Sequence, residues 1–132
     1  MISIRCFAAA LSLATMASVS NAASPGKVEP LILKQLADLP GKEALMITVS
    51  YEPGGADDIH RHDAHVFVYV LEGSIVMQLK DQSAVTLKAG QTFYEAPDDV
   101  HVVGRNASMT EPAKFLVLLI KKTNTPPVLP VK

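Results

Sequence analysis

Apolar residues in this chain recur at every second position in short bursts, not at helical spacing. Leu45, Ile47, Val49 and Tyr51 alternate with Met46, Thr48 and Ser50, which is the period of a strand with one buried face. Glu52-Pro53-Gly54-Gly55 ends that run. A second run extends from His60 to Leu71, with Val66, Val68 and Val70 in phase with His60 and His62. Glu72-Gly73 turns into Ile75, Met77 and Leu79, and Lys80-Asp81-Gln82-Ser83 turns again into Val85-Thr86-Leu87, which stops at Lys88-Ala89-Gly90. Gln91 to Ala96 and His101 to Val103 flank Pro97-Asp98-Asp99, a pattern that predicts a hairpin, and Phe115 to Ile120 is a last apolar strand. Strands arriving about every 8–12 residues with turn signals between them predict an all-β antiparallel sandwich or barrel.

The ends read differently. Met1 to Arg5 carries one positive charge, Phe7 to Val19 is apolar or small, and Ser20-Asn21-Ala22 has the small-x-Ala form of a signal-peptidase site. A permanent membrane anchor needs ~20 apolar residues, so this run is expected to be a cleaved export signal, placing the remainder in a periplasm or outside the cell. Residues 23–43 read as a lead-in, with polar Ser24 to Glu29 followed by one possible helical turn near Leu31 to Leu39. The β domain is expected over 44–121. The tail at 122–132 contains Pro126, Pro127 and Pro130 and is expected to hold no regular structure, being either loose or packed on a neighbouring subunit.

Charge and cysteine content narrow the function. The formal net charge of −1 becomes −2 once residues 1–22 and their single Arg5 are gone, which argues against a general nucleic-acid binder. The only cysteine, Cys6, leaves with the signal, so a hydrophobic core must hold the fold without disulfides. A dimer interface would help a domain this small. The sequence shows no nucleotide-binding glycine loop, nucleophile elbow or cysteine nucleophile.

The chemistry lies in the histidines. Of the four in the chain, three fall between His60 and His65, and the fourth is His101. His60 and His62 are one residue apart on a predicted strand and so share a face, which offers two imidazoles to one cation.

Gly54, five residues, His60-Arg61-His62, three residues, Val66, six residues and Gly73 reproduce the spacing of the first cupin motif, with Val66 where the family has glutamate. Gly90 and His101 keep the separation of the second motif, although Pro97 is displaced by one, Asp99 replaces a glycine and Asn106 falls one place late. From Met46 to Ile120 the chain resembles a single-domain cupin. The resemblance implies an antiparallel jelly-roll barrel with a metal inside its mouth, held by His60, His62 and His101. For the missing carboxylate there are two candidates. His65 has the wrong parity unless a bulge intervenes. Glu95 would sit opposite His101 if Pro97-Asp98-Asp99 turned a hairpin.

Glu95 is therefore expected as the fourth metal ligand or as a base beside the ion. Imidazole and carboxylate suit Fe, Mn, Ni, Zn or Cu alike. The expected ligand is a small molecule in a mostly apolar cavity. Two functions stay open: a metal-dependent dioxygenase-type oxidoreductase, and a periplasmic binding protein that turns nothing over. A homodimer is expected, as is the absence of nucleic-acid partners and of a permanent membrane anchor. Arg61 and Tyr94 are expected to point outward, and Asp57, Asp58, Asp98 and Asp99 to form turns.

Overall fold

The computed structural model of the chain describes residues 22–132; the expected export signal lies almost wholly outside them. Ten strands follow in order: β1 Lys27–Gln35, β2 Lys42–Tyr51, β3 His60–Arg61, β4 Ala64–Glu72, β5 Ser74–Leu79, β6 Val85–Lys88, β7 Thr92–Glu95, β8 Val100–Asn106, β9 Ala113–Lys122 and β10 Leu129–Pro130. They form two five-stranded sheets, β1-β2-β9-β4-β7 and β10-β3-β8-β5-β6, in which the paired strands are antiparallel. This is the all-β antiparallel architecture that the alternating pattern predicts, in the jelly-roll form that the cupin resemblance implies. Both sheets turn their apolar positions inward, as sandwiches do. Val66, Val68 and Val70 of β4 meet Phe115, Val117 and Leu119 of β9 along one inner wall, while Ile75 and Met77 of β5 close the opposite side.

Period-two burial is clearest in β4, whose residues alternate buried and exposed from Ala64 to Leu71. The bend after β4 depends on Gly73. Its φ is 67°, and a Cβ there would stand 2.4 Å from the Pro112 carbonyl oxygen, so a side chain is excluded by both conformation and space.

Four expectations change. First, Lys27–Gln35 is a strand, not a lead-in with a helical turn. Its apolar residues are contiguous instead of alternating because the whole strand is exposed at the sheet edge, with a register shift at Pro30/Ile32. Second, the run from His60 to Leu71 is two strands: it breaks at His62-Asp63 and passes from one sheet to the other. Third, Pro97-Asp98-Asp99 does not close a hairpin, since β7 pairs with β4 while β8 pairs with β3 and β5. Fourth, the proline-rich tail forms β10 on β3. Proline is tolerated there because an edge strand loses no interior ladder bond.

Candidate metal centre

The break at His62-Asp63 sets the site where the chain crosses between sheets. His60 is the register partner of His101 on β8, and His62 follows two residues later on the same inward parity. The three imidazoles present ligand atoms within 4.8 Å of one another. The His60 ring stands 4.8 Å from that of His62 and 4.9 Å from that of His101, centroid to centroid. His62 and His101 are buried and His60 half-buried.

Backbone carbonyls fix two of the rings. His60 Nδ1 donates to the Asp58 carbonyl at 2.7 Å, and His62 Nδ1 donates to the Pro127 carbonyl. A ring whose Nδ1 carries the proton keeps a lone pair on Nε2 for a metal, and such outer contacts hold its orientation. The tail expected to be irregular thus supplies a support for the site: Pro127 fixes His62, and Val128, Leu129 and Pro130 wall the cavity beside it.

Glu95 enters the same space by a route different from the expected hairpin. Its Cα partner across the ladder is Val66, the position where the first cupin motif carries glutamate. Glu95 thus lies one strand over from Val66, on the same inner face. Glu95 is 2% exposed, with Oε2 3.8 Å from His62 Nε2 and Oε1 3.6 Å from His101 Nδ1, beyond hydrogen-bond range of either ring. Glu95 Oε2 and both ring nitrogens of His101 are buried without any hydrogen-bond partner. Orphaned buried polar atoms cost about 1–3 kcal/mol each, and here they cluster around one point. A cation taking the lone pair of one His101 ring nitrogen and that of the Glu95 carboxylate would satisfy two of the three, so the residues fit the metal that the donor chemistry implies.

Burial sets the proton affinities of the metal-free site. It holds the His101 imidazole down at about 4 and also lowers that of His62, with the neighbouring His60 acting in the same direction on both. Desolvation, with Asp99 nearby, pushes the Glu95 carboxyl up to about 7. Both imidazoles are therefore neutral, as ligands must be.

Other expected residues fall outside the centre. His65 is exposed on the outer face and shares a 2.7 Å hydrogen bond with Tyr94, which is itself outward as expected. Asp57 does more than shape a turn: its carboxylate accepts from the Tyr51 hydroxyl and the Gly26 amide, pinning the start of β1 to the barrel. Tyr51, 1% exposed, was visible in the sequence as the last member of the inward set Leu45, Ile47, Val49, Tyr51. Burial and Asp57 raise its hydroxyl far above the usual phenol range. No sequence signal pointed to the Pro127 carbonyl or to Gly104, where a Cβ would press to 3.0 Å from His101 Cε1 and 3.2 Å from the Tyr51 hydroxyl.

The histidines open into a cavity of about 530 Å³, within the usual range of small-molecule sites. Its wall is largely apolar, including Val49, Val68, Met77, Phe115 and Leu119.

The family model described as Cupin domain matches residues 47–119. No curated protein sequence matches the chain. Among solved structures, oxalate oxidase in complex with the substrate analogue glycolate is similar with a TM-score of 0.62 and 22% identity, over 90% of this chain and 61% of that one. The polyketide cyclase RemF from Streptomyces resistomycificus gives 0.60 and 23%, over 83% and 75%. The DMSP lyase DddQ from Ruegeria pomeroyi gives 0.58 and 22%, over 65% of this chain and 42% of its own length, so the chain spans less than half of that enzyme. At these identities the likeness shows the fold.

Proposed function

The chain belongs to the cupin family, and from that premise we propose that it holds one divalent transition-metal ion between His60, His62 and His101, with Glu95 as fourth donor, and works on a small organic molecule. The observation that carries this reading is the coincidence of three converging imidazoles with three orphaned buried atoms, two of them on His101 and one on Glu95. A bound ion of this class supplies a Lewis acid with open positions and, for iron, manganese or copper, a redox couple.

The chain's own residues do the remainder. Asp58 and Pro127 hold the rings of His60 and His62 with Nε2 inward. Glu95 would complete the donor set as a carboxylate or, if it stands off the ion, act as a base beside it. The apolar wall keeps bulk water away. The reaction class we assign is dioxygenation, in which both atoms of dioxygen enter the organic product and no outside reductant is consumed.

A second reading, a binding protein without turnover, is favoured by one feature: Tyr51 and Asp57, the other protic pair on the cavity, are already bonded to each other. Dioxygen consumption by the Fe(II)- or Mn(II)-loaded protein with candidate diols or diketones, abolished in His62→Ala, supports the enzyme. Ligand binding without consumption supports the binding protein.

Residues 1–22 are assigned as an export signal leading to the periplasm or beyond, tested by N-terminal sequencing of the secreted chain. The homodimer is assigned from the outer sheet face, where Phe67, Tyr69 and Tyr94 are all nearly half exposed. Contiguous apolar area of this kind marks contact surfaces. A monomer by sedimentation would remove that assignment.

A further inference from the structure

Proteins that receive carboxylates or phosphates line their sites with arginine or lysine, whose charge and donors compensate the anion as it leaves water. Among the described residues, no arginine or lysine lines the cavity above the histidines. Its ionisable groups besides the imidazoles are all acidic or weakly so: Glu95 at the centre, Asp57 and Asp58 at the mouth, and Tyr51. The inward-facing cation on the adjoining strand is Lys121, two residues beyond the lining residue Leu119. It is spent, since its ammonium bonds the Glu43 carboxylate and the carbonyls of Thr125 and Lys122. The remaining wall is apolar, with Val28, Ile47, Val68, Phe115 and Leu129 among its members.

Resting on the reading of the site as a metal centre, we propose that the cavity accepts an uncharged, largely apolar organic molecule that reaches the centre through a hydroxyl or carbonyl oxygen, and that it rejects carboxylates of the same size. The balance of charge supports this. A divalent ion beside neutral imidazoles and an ionised Glu95 leaves one positive charge, and Asp57 and Asp58 add two negative ones to the same space. An anionic group on the ligand body would then meet a net negative cavity and lie against aliphatic side chains that cannot solvate it. An uncharged ring or chain instead gains from burying apolar surface. Asp57 is committed to Tyr51 and Gly26, whereas the exposed Asp58 side chain at the mouth has no such bond, which makes it the adjustable part of this selectivity.

The test uses the full chain loaded with Zn(II), which binds without turnover, and two probes differing only at the far end of one ring: 4-ethylphenol and 4-hydroxyphenylacetate. Equilibrium dialysis at pH 7.5 is expected to show 4-ethylphenol bound at least about tenfold more tightly, the size of effect one unfavourable charge contact of about 1.4 kcal/mol gives. In Asp58→Lys, which keeps the backbone carbonyl that holds His60, the gap is expected to shrink at least about threefold with both affinities referred to the zinc-loaded fraction. Equal or tighter binding of the carboxylate by the wild-type chain, or no binding of either probe by zinc-loaded protein, overturns the proposal. Elemental analysis of the same samples separates this from failure of the metal reading: a chain that takes up no zinc sinks the centre itself, while a zinc-loaded chain that prefers the carboxylate sinks only the ligand assignment.

Discussion

Two buried clusters of charged or ionisable side chains face the inside of this barrel, and they are built on opposite plans. In one, Glu43 and Lys121, each 4% exposed, form an ion pair, and the ammonium also reaches the Thr125 and Lys122 carbonyls. Every donor of Lys121 is used. In the other, Glu95 and His101 are buried as deeply, yet Glu95 Oε2 and both His101 ring nitrogens have no partner. Saturation suits a cluster that only holds structure: it ties β2 to β9 and the start of the tail. Unpartnered polar atoms at comparable burial cost stability and make sense where something else is to be bound. The unsaturated cluster faces the cavity and the saturated one does not.

The sharpest way to break this contrast is to remove one partner from the saturated cluster. Lys121→Ala leaves Glu43 buried without its cation and is expected to destabilise the fold by about 3–5 kcal/mol in urea titration, with metal uptake at the histidine cluster retained in the fraction that folds. In the unsaturated cluster the same kind of truncation acts on binding instead. His101→Ala is expected to lower metal affinity at least about 100-fold by competition with a chelator, while the metal-free stability stays within about 1 kcal/mol of wild type, because the lost orphan atoms offset the cavity created.

Proton linkage gives the next contrast. In the metal-free protein the Glu95 carboxyl is raised from 4.5 to about 7, so between those values the folded state holds more protons and stability falls as pH rises. The His101 imidazole is lowered from 6.5 to about 4, so its contribution is present above 6.5 and is lost as pH falls towards 4. The two trends oppose each other between 4.5 and 6.5. Glu95→Gln removes the first, and is expected to stabilise the metal-free protein at pH 8 by up to about 3 kcal/mol with little change at pH 4.5, as thermal melts across pH would show. If the variant is no more stable at pH 8, the carboxyl is not held in the unsatisfied state described.

Smaller effects sharpen the outer contacts. Deleting residues 126–132 removes the Pro127 carbonyl from His62 and is expected to weaken metal binding about 10-fold or more, the range for loss of an outer support. Gly104→Ala places a methyl against His101 Cε1. It is expected to cost about 1–2 kcal/mol of stability, since overpacking a tight contact carries that penalty, with a few-fold loss of metal affinity.

The sequence made much of this legible, for local reasons. Strand alternation placed His60 and His62 on one face, motif spacing paired them with His101, and inward parity included Tyr51. Glu95 was reached as the candidate carboxylate through a hairpin that does not form. The chain between β7 and β8 crosses from sheet to sheet, so Glu95 is not opposite His101 but beside Val66. Residue order cannot show which strand becomes a lateral neighbour, because that is decided by packing between distant segments. β1 was missed because its contiguous Leu31, Ile32 and Leu33 are exposed at an edge, where no buried face imposes alternation. The tail was missed because proline signals disfavour a strand interior but leave a two-residue edge pairing open.

Metal content per chain, measured by elemental analysis of protein reconstituted with an excess of one divalent transition metal and then desalted, tests the centre most directly. One ion per chain, falling to background in a His60→Ala/His62→Ala/His101→Ala variant that still shows the β-sheet circular dichroism of the wild type, is the predicted result. Background metal in the wild-type chain, or an ion retained after all three imidazoles are removed, contradicts it.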